Sequence, residues 1–136
     1  FTRLIEELNQ ASRPLVIVGG GVVQSDSQNF VESFIHRYNI PVVCTATARG
    51  AINIYDRLFL GNPGILGTDS SNKAIEDSDL LIAIGSRLSR RFLAKVDISH
   101  KVVFQVNLQE SHIESVEKLP ILKQLFLKIS SRLWVD

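Results

Sequence analysis

"RPLVIVGGGVVQ", Arg13 to Gln24, is an apolar run opened by a proline and closed by three consecutive glycines. A continuous run such as "PLVIV" suits a strand covered on both faces, as in a parallel sheet. The glycines that follow permit either of two things: close approach of a phosphate to the backbone, or a tight strand-to-helix turn. The residues alone leave both open.

The same rhythm continues on either side. Before the strand, "RLIEELNQA" places Leu4, Ile5, Leu8 and Ala11 on one helical face. After it, Phe30, Val31, Phe34, Ile35 and Tyr38 predict an amphipathic helix from Ser25 to Tyr38, capped by Ser25 or Asp26. "IPVVCT" is a second strand, opened by Pro41. A long connection follows, "ATARGAINIYDRLFLGNPGILGTDSS", broken by a short strand at "LFL"; connections of this length are often functional. "DSSNKAIED" predicts a short helix with Asp69 or Ser70 near its N-cap, and "DLLIAIG" a strand ending at Gly85. "SRLSRRFLAKVDISH" links this to the strand "KVVFQVN", and Ile121, Leu122, Leu125, Phe126, Ile129 and Leu133 predict a terminal helix. Strands alternating with helices predict an α/β fold, a three-layer doubly wound parallel sheet.

Ligands of such sheets sit beyond the carboxyl ends of the strands, where strand order reverses. Those ends carry Gly19-Gly20-Gly21, Thr45-Ala46-Thr47, Gly85-Ser86-Arg87 and Asn107-Leu108-Gln109, all small or polar apart from Leu108. The usual dinucleotide fingerprint is incomplete. Gly19 and Gly21 fill its first two positions, but position 24 is Gln and "CTATARG" offers no acid for a ribose. Arg49 alone reads as a solvated loop residue, and no Gly-Lys-Ser/Thr follows the glycines.

Composition narrows the classes. The 136 residues are 45% hydrophobic and 21% charged with a formal net charge of +1, a globular composition with no electrostatic pull towards nucleic acid. The longest apolar runs are strand-length, which provides no membrane span. One cysteine excludes an intrachain disulfide or a Cys-rich zinc site and fits a reducing, cytoplasmic compartment. Cys44 lies in an apolar strand and reads as a buried structural thiol. His36, His100 and His112 read as surface residues without a local metal-ligand partner, so no metal site is expected. Glu6, Glu7, Glu32 and Glu76 read as solvent-facing helical charge, and "SRLSRR" as a solvated edge or domain contact. No Gly-x-Ser-x-Gly elbow or His-Glu-x-x-His pair is present.

Four segments together carry a resemblance: "RPLVIVGGGVVQSDS", "YNIPVVCTATARGAI", "DRLFLGNPGILGT" and "AIEDSDLLIAIGSRLS". In this order and spacing, over roughly Leu4 to Gln109, the chain resembles the central domain of thiamine-diphosphate-dependent enzymes, nearest the acetolactate synthases. The resemblance implies a Rossmann-like sheet of five to six strands in the order 3-2-1-4-5-6. It also implies one domain, residues 1–136, whose pyrimidine- and diphosphate-binding neighbours are absent from this chain. Thiamine diphosphate and magnesium would belong to the parent enzyme, and this domain alone would catalyse nothing. With no Met at its start, the chain reads as cut from something longer.

Members of that family hold FAD, ADP or nothing in this domain. By resemblance the cofactor-binding positions are Gly19, Gly20, Gly21, Thr45, Gly61, Gly64, Gly85, Ser86, Arg87 and Asn107, with Arg91 also matching the flavin motif. Several departures weigh against flavin. Ser89-Arg90 stands where the flavin enzymes keep paired aspartates, Asn107 and Gln109 replace an Asp-x-Asp, and "LGNPG" replaces their Leu-Gly-Met-His-Gly loop. Asn and Gln keep acceptor oxygens but lose charge-assisted bonds. The family's last short strand is not evident after Gln109. Phe92 and Trp134 are expected in an apolar patch facing neighbouring domains, and the parent is expected to be a homo-oligomer. The alternative is a free-standing FAD- or NAD-binding module of the same fold, such as an electron-transfer flavoprotein domain. An open reading frame of about 550 residues would favour the multidomain parent.

Overall fold

The computed structural model describes residues 2–63, 67–86, 88, 101–106 and 122–124. Chain order is α1 (Thr2–Gln10), β1 (Pro14–Val18), α2 (Gly20–Gln24), α3 (Gln28–Tyr38), β2 (Val42–Cys44), a 3-10 turn (Ala46–Ala48), α4 (Asp69–Asp77), β3 (Leu80–Ile84), β4 (Val102–Val106) and β5 (Leu122–Gln124). The five strands form one sheet, ordered β2-β1-β3-β4-β5, and every pairing is parallel. The expected strand at "LFL" contracts to one parallel bridge, Val42 to Phe59, flanked by Val42 N–H to Leu58 O (2.8 Å) and Leu60 N–H to Val42 O (2.9 Å). Counting that bridge as the third strand gives the expected order 3-2-1-4-5-6.

Period-2 alternation divides each strand between two cores. Val16, Val18, Val42, Cys44, Ile82, Ile84, Phe104 and Val106 face one layer, with Leu4 and Leu8 of α1, Val22 of α2 and Val31, Phe34 and Ile35 of α3. Leu15, Ile17, Val43, Leu81, Ala83 and Val103 face the other, with Ile75 of α4 and Leu88. The sheet is therefore buried on both sides, which is why its strands read as unbroken apolar runs.

Three sequence expectations need correction or refinement. The helix expected over Ser25–Tyr38 begins later, at Gln28, and a separate short helix, α2, precedes it. Asp26 takes a left-handed backbone (φ 54), the Ser25 and Ser27 hydroxyls bond one another at 2.7 Å, and α3 begins after Ser27. Helical winding has already started at Gly20, so Ser25–Ser27 is a break between helices rather than a first cap. For α4 the N-cap is Thr68, whose hydroxyl accepts the Ser71 N–H at 3.3 Å, and Asp69 sits in the first turn. The third correction concerns the sheet edge. Leu122–Gln124, expected to open a helix, instead forms β5 against Val103–Gln105. A short apolar run carries no decisive period, and the open edge of β4 supplied the missing partner for its backbone. The remainder of the expected terminal helix, together with Phe92 and Trp134, lies outside the described residues.

At the amino end of the sheet, two charged side chains tie the connections together. Asp79, just before β3, accepts N–H bonds from Ser12 (2.7 Å) and Arg13 (2.9 Å). Lys101, just before β4 and 8% exposed, donates from Nζ to the carbonyls of Glu76 (2.6 Å) and Ser78 (2.5 Å) at the end of α4. A cation there satisfies orphan carbonyls and complements the helix dipole.

Candidate functional site

Seven of the ten expected cofactor-binding residues gather at the carboxyl end of the sheet. They are Gly19, Gly20, Gly21, Thr45, Gly61, Gly85 and Ser86; Gly64, Arg87 and Asn107 lie outside the described residues, as do Gln109, Arg90 and Arg91. The order reversal falls here, where β1 lies between β2 and β3.

The glycines meet protein rather than open space. Gly19 donates its N–H to Ile84 O (2.9 Å), Gly21 to Gly85 O (3.0 Å), and Val22 to Gly19 O (3.1 Å). A Cβ on Gly19 would stand 2.5 Å from Ser86 Cα and closer still to the Gly85 carbonyl oxygen. Gly85 has φ +66, and a Cβ on it would lie 2.6 Å from the Val22 nitrogen. A Cβ on Gly20 would lie 3.0 Å from Thr47 Cβ, and one on Gly61 (φ +114) 2.7 Å from Thr68 Oγ1. Gly50, also left-handed at φ +84, is different: nothing stands within 4 Å of the place its Cβ would take. The turn after β1 is a main-chain joint between β1, β3 and α2. Its amides at Gly19, Gly21 and Val22 are already bonded, so a pyrophosphate pressed onto this turn would lack those donors.

Polar groups do line the same edge. The Thr45 and Thr47 hydroxyls are 3.1 Å apart, and Thr45 N–H donates to Val18 O at 2.9 Å. Ser86 Oγ accepts the Leu88 N–H at 3.2 Å, while Ser86 O accepts from Gln105 Nε2 at 2.9 Å. Gln105 is fully buried and its Oε1 has no hydrogen-bond partner. Nothing in the sequence singles this residue out, because a Gln inside an apolar strand advertises nothing about its neighbours. Leu88 is buried with a left-handed backbone (φ 49), a strained conformation at the segment leaving β3.

Other side chains agree with the structural roles expected of them. Cys44 is buried, and desolvation pushes its thiol up to about 11, far from a nucleophile's range. Arg49 is exposed. His36 is a surface residue, as expected, but it has a partner: its Nε2 lies 2.7 Å from Asp56 Oδ2. The Leu58 N–H, and less strongly His36, hold the Asp56 carboxyl below the usual carboxylate range. No helix among the described residues is long and apolar enough to cross a membrane.

Comparison with known proteins places these features. The family model for the thiamine pyrophosphate enzyme central domain matches residues 1–125. The acetolactate synthase large subunit of Lactococcus lactis subsp. lactis is 33% identical over 138 aligned positions, covering 98% of this chain and 24% of that protein. Its counterpart in Cyanidium caldarium is 36% identical over 107 residues, 79% of this chain and 17% of that protein. The large subunit of Corynebacterium glutamicum is 40% identical over 93 residues, 68% of this chain and 15% of that protein. The chain thus spans a quarter or less of the relatives it matches. With its all-parallel sheet, its order reversal at β1 and a family match over most of its length, the chain belongs to the thiamine pyrophosphate enzyme central-domain family.

Proposed function

We propose that this chain is the central domain of a larger thiamine-diphosphate-dependent enzyme of acetolactate synthase type, acting on 2-oxo acids. In it the domain is a non-catalytic scaffold, single over residues 1–136, between pyrimidine- and diphosphate-binding domains of the same polypeptide. Thiamine diphosphate and magnesium belong to those neighbours, and the parent works as a cytoplasmic homo-oligomer. The observation that carries the scaffold reading is the closed joint at Gly19 and Gly85. Both glycines are accounted for by main-chain contact, and the Gly19, Gly21 and Val22 amides are bonded within the fold.

The finer part of the proposal concerns FAD or ADP. Such a ligand, where held, lies against the Thr45, Thr47, Gly61 and Ser86 side of the edge rather than in the glycine turn; Gly64, Arg87 and Asn107 are proposed as further contacts on the family resemblance alone. The polar lining supports this placement.

Thermal melts of the chain with excess FAD, ADP or NAD test the ligand half. A ligand at a hundred times its dissociation constant adds about 2.7 kcal/mol, several degrees in Tm. The scaffold reading expects no shift; a clear shift with FAD or ADP would make the domain a nucleotide holder. The enzyme half is tested by assaying the complete reading frame for acetolactate formation from 2-oxo acids. Absence of that activity in a folded, thiamine-diphosphate-loaded protein would remove the acetolactate synthase assignment.

A further inference from the structure

Away from the carboxyl edge, three side chains converge from two parts of the chain. Glu32 and His36 are four residues apart on α3 and so share a face of that helix. Asp56 comes from the connection after β2. Ligand atoms from all three, one carboxylate oxygen each from Glu32 and Asp56 and one imidazole nitrogen, lie within 4.8 Å of one another.

We propose that Glu32, His36 and Asp56 form a binding site for a zinc-class divalent cation, clamping α3 to the 53–56 turn. Zinc takes nitrogen and oxygen ligands at about 2.0–2.2 Å, so tetrahedral ligand atoms stand about 3.3–3.6 Å apart. The three groups reach that spacing by small side-chain rotations: Glu32 moves in, and the 2.7 Å His36–Asp56 pair opens slightly. One imidazole with two carboxylates suits zinc, nickel or copper; magnesium and calcium prefer a shell of oxygens alone. Two carboxylates held this close repel one another unless positive charge lies between them.

The site is half built before any ion arrives. Asp56 Oδ1 accepts the Leu58 N–H at 3.0 Å, which fixes the carboxylate and aims Oδ2 at His36. Arg57, whose charge also reaches Asp56, donates to Asn39 Oδ1 at 2.7 Å. Coordination through Nε2 uses the Nδ1–H tautomer, so a proton on Nε2 passes to Nδ1 or to solvent, and no further reactant is needed. The remaining coordination positions open to solvent, since Glu32 is exposed and the His36 side chain is 40% exposed. The turn so clamped presents Ile54, 67% exposed, and Tyr55, 88% exposed. Its geometry is set by Asp56 N–H to Asn53 O (2.9 Å) and Tyr55 N–H to Asn53 Oδ1 (2.9 Å).

The alternative at this place is the His36–Asp56 hydrogen bond with no ion, and the experiment separates the two. The full chain is titrated with zinc chloride in a non-chelating buffer by calorimetry, and with cobalt chloride by visible absorption. His36→Gln and Glu32→Gln are run alongside. His36→Gln keeps a donor towards Asp56, and Glu32 is a solvent-exposed helix position, so neither change threatens the fold. The expected result is one zinc per chain with a micromolar dissociation constant, weakened at least about tenfold in His36→Gln and by less in Glu32→Gln. Cobalt should give d–d bands that His36→Gln abolishes. Absence of saturable zinc uptake below about 1 mM in the unaltered chain, or uptake undiminished by His36→Gln, would overturn the assignment.

Discussion

The two ends of the sheet are closed by opposite means. At the carboxyl end, main chain meets main chain: Gly19 and Gly85 lack side chains so that β1, β3 and α2 can touch directly. At the amino end, charged side chains reach across to main-chain groups. Asp79 takes two N–H groups at the entry to β1, and Lys101 takes two carbonyls at the exit of α4. The first joint fails when atoms are added and the second when they are removed. A glycine cluster in a sequence therefore marks close approach without saying of what, and a charged residue at a strand entry marks nothing until the fold supplies its partner.

The largest expected effect is at the carboxyl joint. Gly85→Ala combines a left-handed φ of +66 with a Cβ placed 2.6 Å from Val22 N, and neither neighbour is a flexible side chain. Overpacking and backbone strain together should cost about 3 kcal/mol or more, read as a drop in urea midpoint or a failure to fold. Lys101→Met comes next. It keeps the stem but leaves the Glu76 and Ser78 carbonyls without their cation, at an expected cost of about 1–3 kcal/mol. If Lys101→Met were neutral, the Lys101 bonds would add nothing to the amino end beyond what Asp79 and packing supply. Asp79→Ala removes two exposed N–H acceptors, which water replaces in part, so about 1 kcal/mol is expected in the same assay.

The smallest effect is at Cys44. Its thiol is raised from 9.0 to about 11, so the folded state favours the protonated form. Its contribution is complete below pH 9 and is lost as pH rises from about 9 towards 11, because the unfolded thiol ionises first. At pH 8 an aromatic disulfide reagent should label the native thiol far more slowly than the unfolded one, because the thiol is both buried and held protonated. Equal rates would place Cys44 outside the core.

Much of this fold was legible in sequence for a definite reason. Strands buried on both faces, such as "PLVIV" and "LLIAI", carry a continuous apolar signal, and α1, α3 and α4 carry a 3.6-residue one. What escaped was decided by tertiary partners. Leu122–Gln124 became a strand because β4 offered it an edge, and "LFL" shrank to the Phe59 bridge. The break at Asp26 depends on a left-handed backbone that a serine-rich stretch only hints at. The cofactor-edge residues were located by strand-end position and, for Gly61 and Gly64, by family resemblance alone, yet the contacts that make Gly19 and Gly85 structural join segments far apart in the chain. Glu32 and His36 did stand at helical i, i+4 spacing, a signal available in the sequence; only the fold brings Asp56 to them.

On these contacts the glycine turn is a structural joint. The measurement that tests it most directly is the unfolding free energy of Gly19→Ala against Gly50→Ala, both without added ligand. Gly50 has a strained φ but open space, so its change should cost about 1–2 kcal/mol. Gly19 has an ordinary extended backbone (φ −110) but no room, so its change should cost about 3 kcal/mol or prevent folding. A Gly19→Ala chain as stable as the unaltered one, with its effect seen only as lost FAD or ADP binding, would contradict the account and make the turn a ligand cradle.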